Sequence, residues 1–167
     1  YKRQMFSDVN GNYLSADGSV CRTDKFQKRT VFSGWDVFRS EFPLLTLVKP
    51  DAINDMMHTL IDVAENKCVS FPRWELFNNE ANCMIGDPGI SVVLDAYRKG
   101  IRDFDIKRAY DICLKTAFDP NTGRFGAEDM NTLGYMPNDV SYTLENVYAD
   151  WCISMLAKEL GDSENEK

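Results

Sequence analysis

In the stretch Phe32 to Ser40, FSGWDVFRS, a glycine, a tryptophan, a carboxylate and a guanidinium fall close together. Gly34 allows close backbone approach, and Trp35 offers a flat apolar face. Asp36 and Arg39, three residues apart, converge on one polar ligand if the segment is helical. A carbohydrate ring presents that mixture: an apolar face for an aromatic ring, and hydroxyls that a carboxylate or guanidinium binds in pairs. The plainer alternative makes Trp35 a core residue and Asp36 and Arg39 a local ion pair of small worth. A second place pairs tryptophan with a carboxylate, Pro72-Arg73-Trp74-Glu75, followed by Asn79-Glu80 and by Cys83-Met84-Ile85-Gly86-Asp87. Gly86 and Asp87 open a helix, where backbone N–H groups are free for a ligand. Asp87 also suits a plain N-cap.

Other chemistry is thinner. Asp8-x-Asn10-x-Asn12 and Asp119-x-Asn121-x-Gly123 begin like calcium loops. An EF-hand also needs glycine at its sixth position and a bidentate glutamate at its twelfth. Those places hold Tyr13 and Ser19 in the first and Arg124 and Met130 in the second, so both read as turns. The single histidine, His58, falls beside an apolar helical stripe and reads as a boundary residue rather than a catalytic base. No phosphate-binding glycine loop is present. Asp95 with Lys99 and Asp103 with Lys107 have the spacing of helix-supporting pairs.

The elements that must position these residues follow from hydrophobic spacing. Turn signals at Asp8 to Asn12 and at Asp17-Gly18 make residues 1–30 a loose hairpin or extended arm. Trp35, Phe38, Phe42 and Leu45 suggest a helix from Ser33 to about Val48, in which Pro43 kinks the chain or marks the true start. Ile53, Met56, Met57, Leu60, Ile61 and Ala64 form the stripe of a second helix, N-capped by Asp51 and running to about Asn66. Residues 67–86 read as a long ordered loop, of the sort that carries function.

Ile90, Val93, Leu94, Tyr97 and Ile101 mark a third helix closed by Gly100. Asp103 or Asp105 starts a fourth, with Ile106, Ala109, Tyr110, Cys113 and Ala117 on its face. Residues 119–138 form another loop. Asp139 opens a fifth helix bearing Leu144, Val147, Tyr148, Trp151, Cys152 and Met155, and the polar residues 162–167 are expected to fray. Short links between successive helices predict antiparallel hairpins. The fold class is therefore all-α, with one domain over residues 1–161 and a short extended segment at its N-terminus.

With 167 residues, 44% hydrophobic, the chain has material for a real core. A net charge of −7 disfavours nucleic acid and anionic lipid as partners. No apolar run reaches the length a transmembrane helix needs, so no membrane partner is expected. Five cysteines, Cys21, Cys68, Cys83, Cys113 and Cys152, form no CxxC pair and fit neither a disulfide framework nor a zinc ribbon. They lean the reading toward a reducing, cytoplasmic compartment. Because the chain opens on Tyr1 rather than methionine, an initiator or signal segment is expected to have preceded it.

Four ordered segments, FSGWDVFRSEFPLLTLVKP, PRWELFNNEANCMIGD, SVVLDAYRKGIRDFD and GYMPNDVSYTLENVYADWCISMLAKELG, resemble successive signatures of glycoside hydrolase family 92, the exo-acting α-mannosidases. The opening MFSDVNGNYLSADGSV resembles the segment that precedes them, and the likeness runs from about residue 5 to 161. The resemblance implies a calcium-dependent hydrolase that removes terminal mannose from glycans with inversion, α-1,2-linked mannose being the expected substrate. Its expected architecture is a β-sandwich followed by an (α/α)6 barrel. Inversion needs a general acid at the glycosidic oxygen and a general base that activates water on the opposite face.

The family barrel has about twice the helices read here. The chain is therefore expected to form half of it, to lack the acid and the base, and to be inactive alone. By the same resemblance Trp35, Asp36 and Arg39 line the mannose subsite, with Trp74, Glu75 and Asp87 nearby. Ser141, Thr143, Leu144 and Glu145 match a TLE-containing motif and read as helix-start and packing residues. Calcium ligands are expected outside this chain. A non-catalytic helical carbohydrate-binding or interaction module, and a different (α/α)-toroid carbohydrate enzyme, are the alternatives. Half a toroid leaves helix faces bare, through which the chain can dimerise.

Overall fold

The computed structural model describes residues 4–30 and 32–166. Residues 1–3 of the expected arm and Lys167 of the tail lie outside the described residues. The elements in order are β1 (Gln4–Met5), β2 (Asn12–Leu14), β3 (Val20–Arg22), β4 (Arg29–Thr30), β5 (Phe32–Ser33), α1 (Gly34–Val37), α2 (Glu41–Val48) and α3 (Pro50–Val63). They continue with β6 (Trp74–Leu76), β7 (Asn79–Glu80), α4 (Pro88–Arg98), α5 (Ile106–Phe118), α6 (Ala127–Leu133) and α7 (Val140–Leu160). Helices dominate, but three small antiparallel sheets, β1-β4, β2-β3 and β5-β6-β7, correct the all-α expectation to a mostly helical fold.

The N-terminal arm is a hairpin as its turn residues suggest: Asn12, Tyr13 and Leu14 face Arg22, Cys21 and Val20. Asp17 accepts hydrogen bonds from the backbone N–H and hydroxyl of Ser19 and so closes its turn. The arm is pinned to α3 by Lys28, whose side chain is fully buried and whose ammonium donates to Asp62. The Asp62 carboxylate also accepts from the Ser15 hydroxyl at 2.7 Å and the Asn66 amide at 2.8 Å. Burial pushes the Lys28 ammonium pKa down, and Asp62 works against that shift.

The single helix expected from Ser33 to Val48 breaks in two. Ser33 is claimed by β5, paired with Trp74 of β6, and α1 ends before the turn at Phe38 to Ser40. Pro43 lacks an N–H and fits only a first helical turn, so α2 starts just ahead of it. Asp51 is not the N-cap of α3: Pro50 takes the first helical position and Lys49 precedes it. The apolar stripe of α3 is buried as read, from Ile53 to Ala64, and its end winds into a π-turn, Ala64–Cys68.

The loop expected over 67–86 holds the β6-β7 hairpin. Its two-residue turn is Phe77-Asn78, with φ of 50° and 63°. Positive φ at both positions is the geometry that favours Asn-Gly, so a phenylalanine there hides the turn. The loop expected over 119–138 holds α6, flanked by Gly126 and Gly134 in left-handed conformations.

Helix α4 is central and touches α1, α2, α3, α5 and α7. Pro88, Gly89, Ile90, Ser91, Val92, Val93, Leu94 and Ala96 are all buried in it. A Cβ on Gly89 would lie 2.6 Å from the Phe71 Cβ. Alanine is worth up to about 1 kcal/mol more than glycine inside a helix, but overpacking costs about 1–3 kcal/mol, and a Cβ cannot swing aside. Gly89→Ala is therefore expected to destabilise the chain, read as a lower midpoint in urea. Asp105, not Asp103, caps α5, accepting from the N–H groups of Lys107 and Arg108. The Asp95–Lys99 pair forms at 2.8 Å, whereas Asp103 lies outside α5 and no Asp103–Lys107 pair occurs among the described residues.

Helix α7 buries only part of the expected face. Leu144, Val147, Tyr148 and Trp151 are 63%, 48%, 43% and 52% exposed, while Cys152 is buried as expected, together with Asn146, Ala149, Ile153, Leu156 and Ala157, and Met155 packs against the core. The helix is apolar on two sides, and the small-residue side fits closest to α4 and α5. Residues 162–166, where polarity alone suggested fraying, form turns. Asp162 accepts from the Tyr110 hydroxyl at 2.9 Å and the Asn165 amide at 2.8 Å, and the Ser154 hydroxyl donates to the Glu166 carbonyl.

Candidate functional site

Two glycines show how separate segments meet at one end of the helices. A Cβ on Gly34 would lie 2.8 Å from the Arg73 carbonyl oxygen and 3.2 Å from Pro88 Cγ. The start of α1 therefore abuts the β6 strand and the start of α4, and the Trp35 N–H donates to that same Arg73 carbonyl. Gly86, at φ +71°, would place a Cβ 2.9 Å from Glu145 Cβ and 3.0 Å from Glu145 Oε2. Helix α7 thus enters the same corner. The four distant segments FSGWD, PRWE, GDP and TLE converge there.

On this corner Arg39 stacks over the rings of Trp35 and Phe38, its guanidinium carbon 4.6 Å and 4.4 Å from their centroids. An aromatic path runs on from Phe38 to Tyr148 and from Tyr148 to Trp151, each step 6.2 Å between centroids. The local Asp36–Arg39 ion pair does not form: Asp36 is exposed and has no hydrogen bond or ion pair among the described residues. Trp35 is half-buried, neither core nor free. Glu145 is half-buried and likewise unpaired among the described residues. Burial raises its carboxyl pKa, and the Arg39 guanidinium opposes that rise.

Trp74 is half-buried on β6, but Glu75, the next residue, points to the other face of the strand and is fully buried. Its carboxylate accepts from the Thr30 hydroxyl, at 2.9 Å and 3.1 Å to its two oxygens, and from the Asn78 N–H. Asp87 is buried too, and the Arg124 Nε donates to it at 2.7 Å. Both carboxylates have internal partners, unlike Asp36 among the described residues. Arg124 also donates to Asp150 at 2.6 Å and to the Asn146 carbonyl at 3.3 Å. Burial raises the Asp150 carboxyl pKa, and Arg124 offsets part of that. Arg124 and Asp150 escaped the sequence reading, because no local spacing links a loop arginine to two distant helices.

The raised Glu145 pKa gives a sign for pH dependence. Folded Glu145 binds its proton more tightly than unfolded Glu145, so its contribution to stability is fully present below the ordinary value of 4.5 and is lost as pH rises through the raised one. Glu145→Gln is therefore expected to show a higher thermal midpoint than the native chain at pH 7, and the two should converge below about pH 4.5. Thermal unfolding across that pH range checks it.

The other candidates are structural. His58 stacks on Phe26 at 4.6 Å, its Nε2 lies 3.1 Å from the Asp103 carbonyl, and burial lowers its pKa. The five cysteines are free; burial pushes the Cys152 thiol up to about 11 and Cys113 further still. The described residues hold no group of three or more His, Cys, Asp or Glu side chains able to hold a metal ion. Asp8 is taken up by Asn10 and Asn12, and Asp119 by Asn121. No helix among the described residues is long and apolar enough to cross a membrane.

Aromatic rings, a stacked guanidinium and carboxylates without partners among the described residues thus meet where α1, α4 and α7 come together. The sequence matches the glycosyl hydrolase family 92 catalytic domain over residues 1–167, and the chain belongs to that family. Its fold is similar to that of the GH92 α-mannosidase BT3965 from Bacteroides thetaiotaomicron in complex with mannoimidazole, with 30% identity and a TM-score of 0.89. That match covers 98% of this chain and 22% of the relative. The GH92 inverting mannosidase BT2199 from Bacteroides thetaiotaomicron VPI-5482 is 31% identical at a TM-score of 0.84, over 98% of this chain and 24% of its own. This chain thus spans about a quarter or less of the solved relatives it matches. No curated protein matches the sequence.

Proposed function

We propose that this chain supplies one wall of the mannose subsite in an inverting exo-α-mannosidase acting on terminal mannose of glycans, with α-1,2 linkages as the preferred substrate. The observation that carries the reading is the Arg39 guanidinium laid flat on Trp35 and Phe38, near an Asp36 without a partner among the described residues, in a member of this family. A stacked guanidinium keeps its N–H edge for hydroxyls, and the Trp35 ring offers an apolar surface to a sugar face. Trp74 adjoins this surface through its strand, which pairs with Ser33 just ahead of Gly34. Glu75 and Asp87 serve it from beneath, by holding the backbone that carries Trp74 and Gly86.

Residues 1–161 act in this reading as one unit, the first half of an (α/α)6 barrel. In this reading the acid and base of the inverting step, and the calcium ligands, lie outside this chain. The chain by itself is then inactive and presents bare helix faces through which it can dimerise.

The test is release of free mannose from α-1,2-linked mannobiose by the full-length polypeptide that contains this sequence, with and without a chelator, beside the 167-residue chain. Chelator-sensitive release by the long polypeptide and none by the short chain is the expected result. No release by the long polypeptide from any α-mannoside would sink the mannosidase reading and leave a non-catalytic carbohydrate-binding module.

A further inference from the structure

We infer that Glu145 is a hydroxyl-binding residue of this site, accepting hydrogen bonds from a mannoside that Arg39 and Asp36 also engage. The inference rests on the mannosidase reading above. Glu145 lies on the second turn of α7, and the loop opposite is shaped to receive it. Gly86 stands in a left-handed conformation, and any Cβ there would strike the Glu145 side chain. A residue that only packed helix to loop would be served by an apolar side chain. A half-buried carboxylate without donors loses hydration and gains nothing in exchange.

Its neighbours supply what a sugar needs. The Arg39 charge reaches Glu145 without an ion pair forming among the described residues, because the guanidinium is held on Trp35 and Phe38. Asp36, three residues before Arg39, likewise has no partner among the described residues. A guanidinium and two carboxylates, none satisfied by another among the described residues, match adjacent hydroxyls that both donate and accept. The position is also fixed. Arg124 ties Asp87, next to Gly86, to Asn146 and Asp150, which follow Glu145 on α7. A ligand therefore meets a carboxylate already in place.

The test compares the native full-length polypeptide with its Glu145→Gln and Glu145→Ala variants, using mannoimidazole titrated calorimetrically and mannobiose turnover. Hydrogen bonds to a charged group being the stronger sort, Glu145→Gln is expected to weaken mannoimidazole binding and to raise KM about tenfold. Glu145→Ala should weaken both further. The thermal midpoint at pH 7 should stay level or rise. Binding within twofold of the native protein in both variants would overturn the inference while the mannosidase reading stands. Weaker binding accompanied by a lower thermal midpoint in both would also overturn it, in favour of a structural role. A native polypeptide that neither binds mannoimidazole nor releases mannose would sink the mannosidase reading itself, and this inference with it.

Discussion

Arg124→Met is expected to lower the unfolding free energy by about 3–5 kcal/mol, the usual cost of removing one partner from a buried ion pair. The guanidinium is 1% exposed and serves two carboxylates, Asp87 at 4% and Asp150 at 39%. Most of the cost falls on Asp87, which cannot recover water when its partner goes, whereas Asp150 can turn outward. At roughly 2–4 °C per kcal/mol for a chain of this size, the thermal midpoint should fall by about 10 °C. Added salt should not rescue it, because buried charges are screened little. The double variant Arg124→Met with Asp87→Asn should recover part of the loss. A fall of less than about 1 kcal/mol for Arg124→Met alone would mean that water reaches Asp87 and that the clamp is weak.

Glu75→Ala should cost about 3 kcal/mol, from a cavity and from donors left unmet. The carboxylate is fully buried and collects the Thr30 hydroxyl and the Asn78 N–H, while the Thr30 oxygen accepts from the Phe77 N–H at 2.9 Å. These bonds hold Phe77 and Asn78 at positive φ, a conformation that costs an ordinary side chain about 1 kcal/mol or more. Without them the β6-β7 turn has no reason to stay left-handed, and Trp74 loses its support. Urea unfolding at constant m-value measures the loss. An unchanged midpoint would return Glu75 to the ligand-facing role that its sequence neighbours suggested.

The long helices were legible because their cores are periodic. Ile53 to Ala64 on α3, Ile90 to Leu94 on α4 and Ala109 to Ala117 on α5 repeat at helical spacing and are buried. The β5-β6-β7 sheet was not, since its strands are two or three residues long, β5 meets β6 only across about 40 residues of chain, and the β6-β7 turn carries no glycine. In the site, residue types pointed to Trp35, Asp36 and Arg39, which do share one surface. Spacing suggested that Asp36 and Arg39 pair; only the three-dimensional arrangement lays Arg39 on the rings instead. Glu75 sits beside a tryptophan in sequence yet on the opposite face of a strand, a distinction that requires knowing the segment is a strand. Arg124 was beyond reach, since its partners lie just ahead of α4 and on α7.

That α7 is apolar on two sides bears on how it finds its orientation. Hydrophobicity alone gives such a helix two comparable rotational phases about its axis, one burying Leu144, Val147 and Trp151, the other Ala149, Ile153 and Leu156. Only in the observed phase do Asn146 and Asp150 reach Arg124. The polar contacts thus act as an indexing key, selecting between two greasy alternatives rather than merely adding to the strength of one.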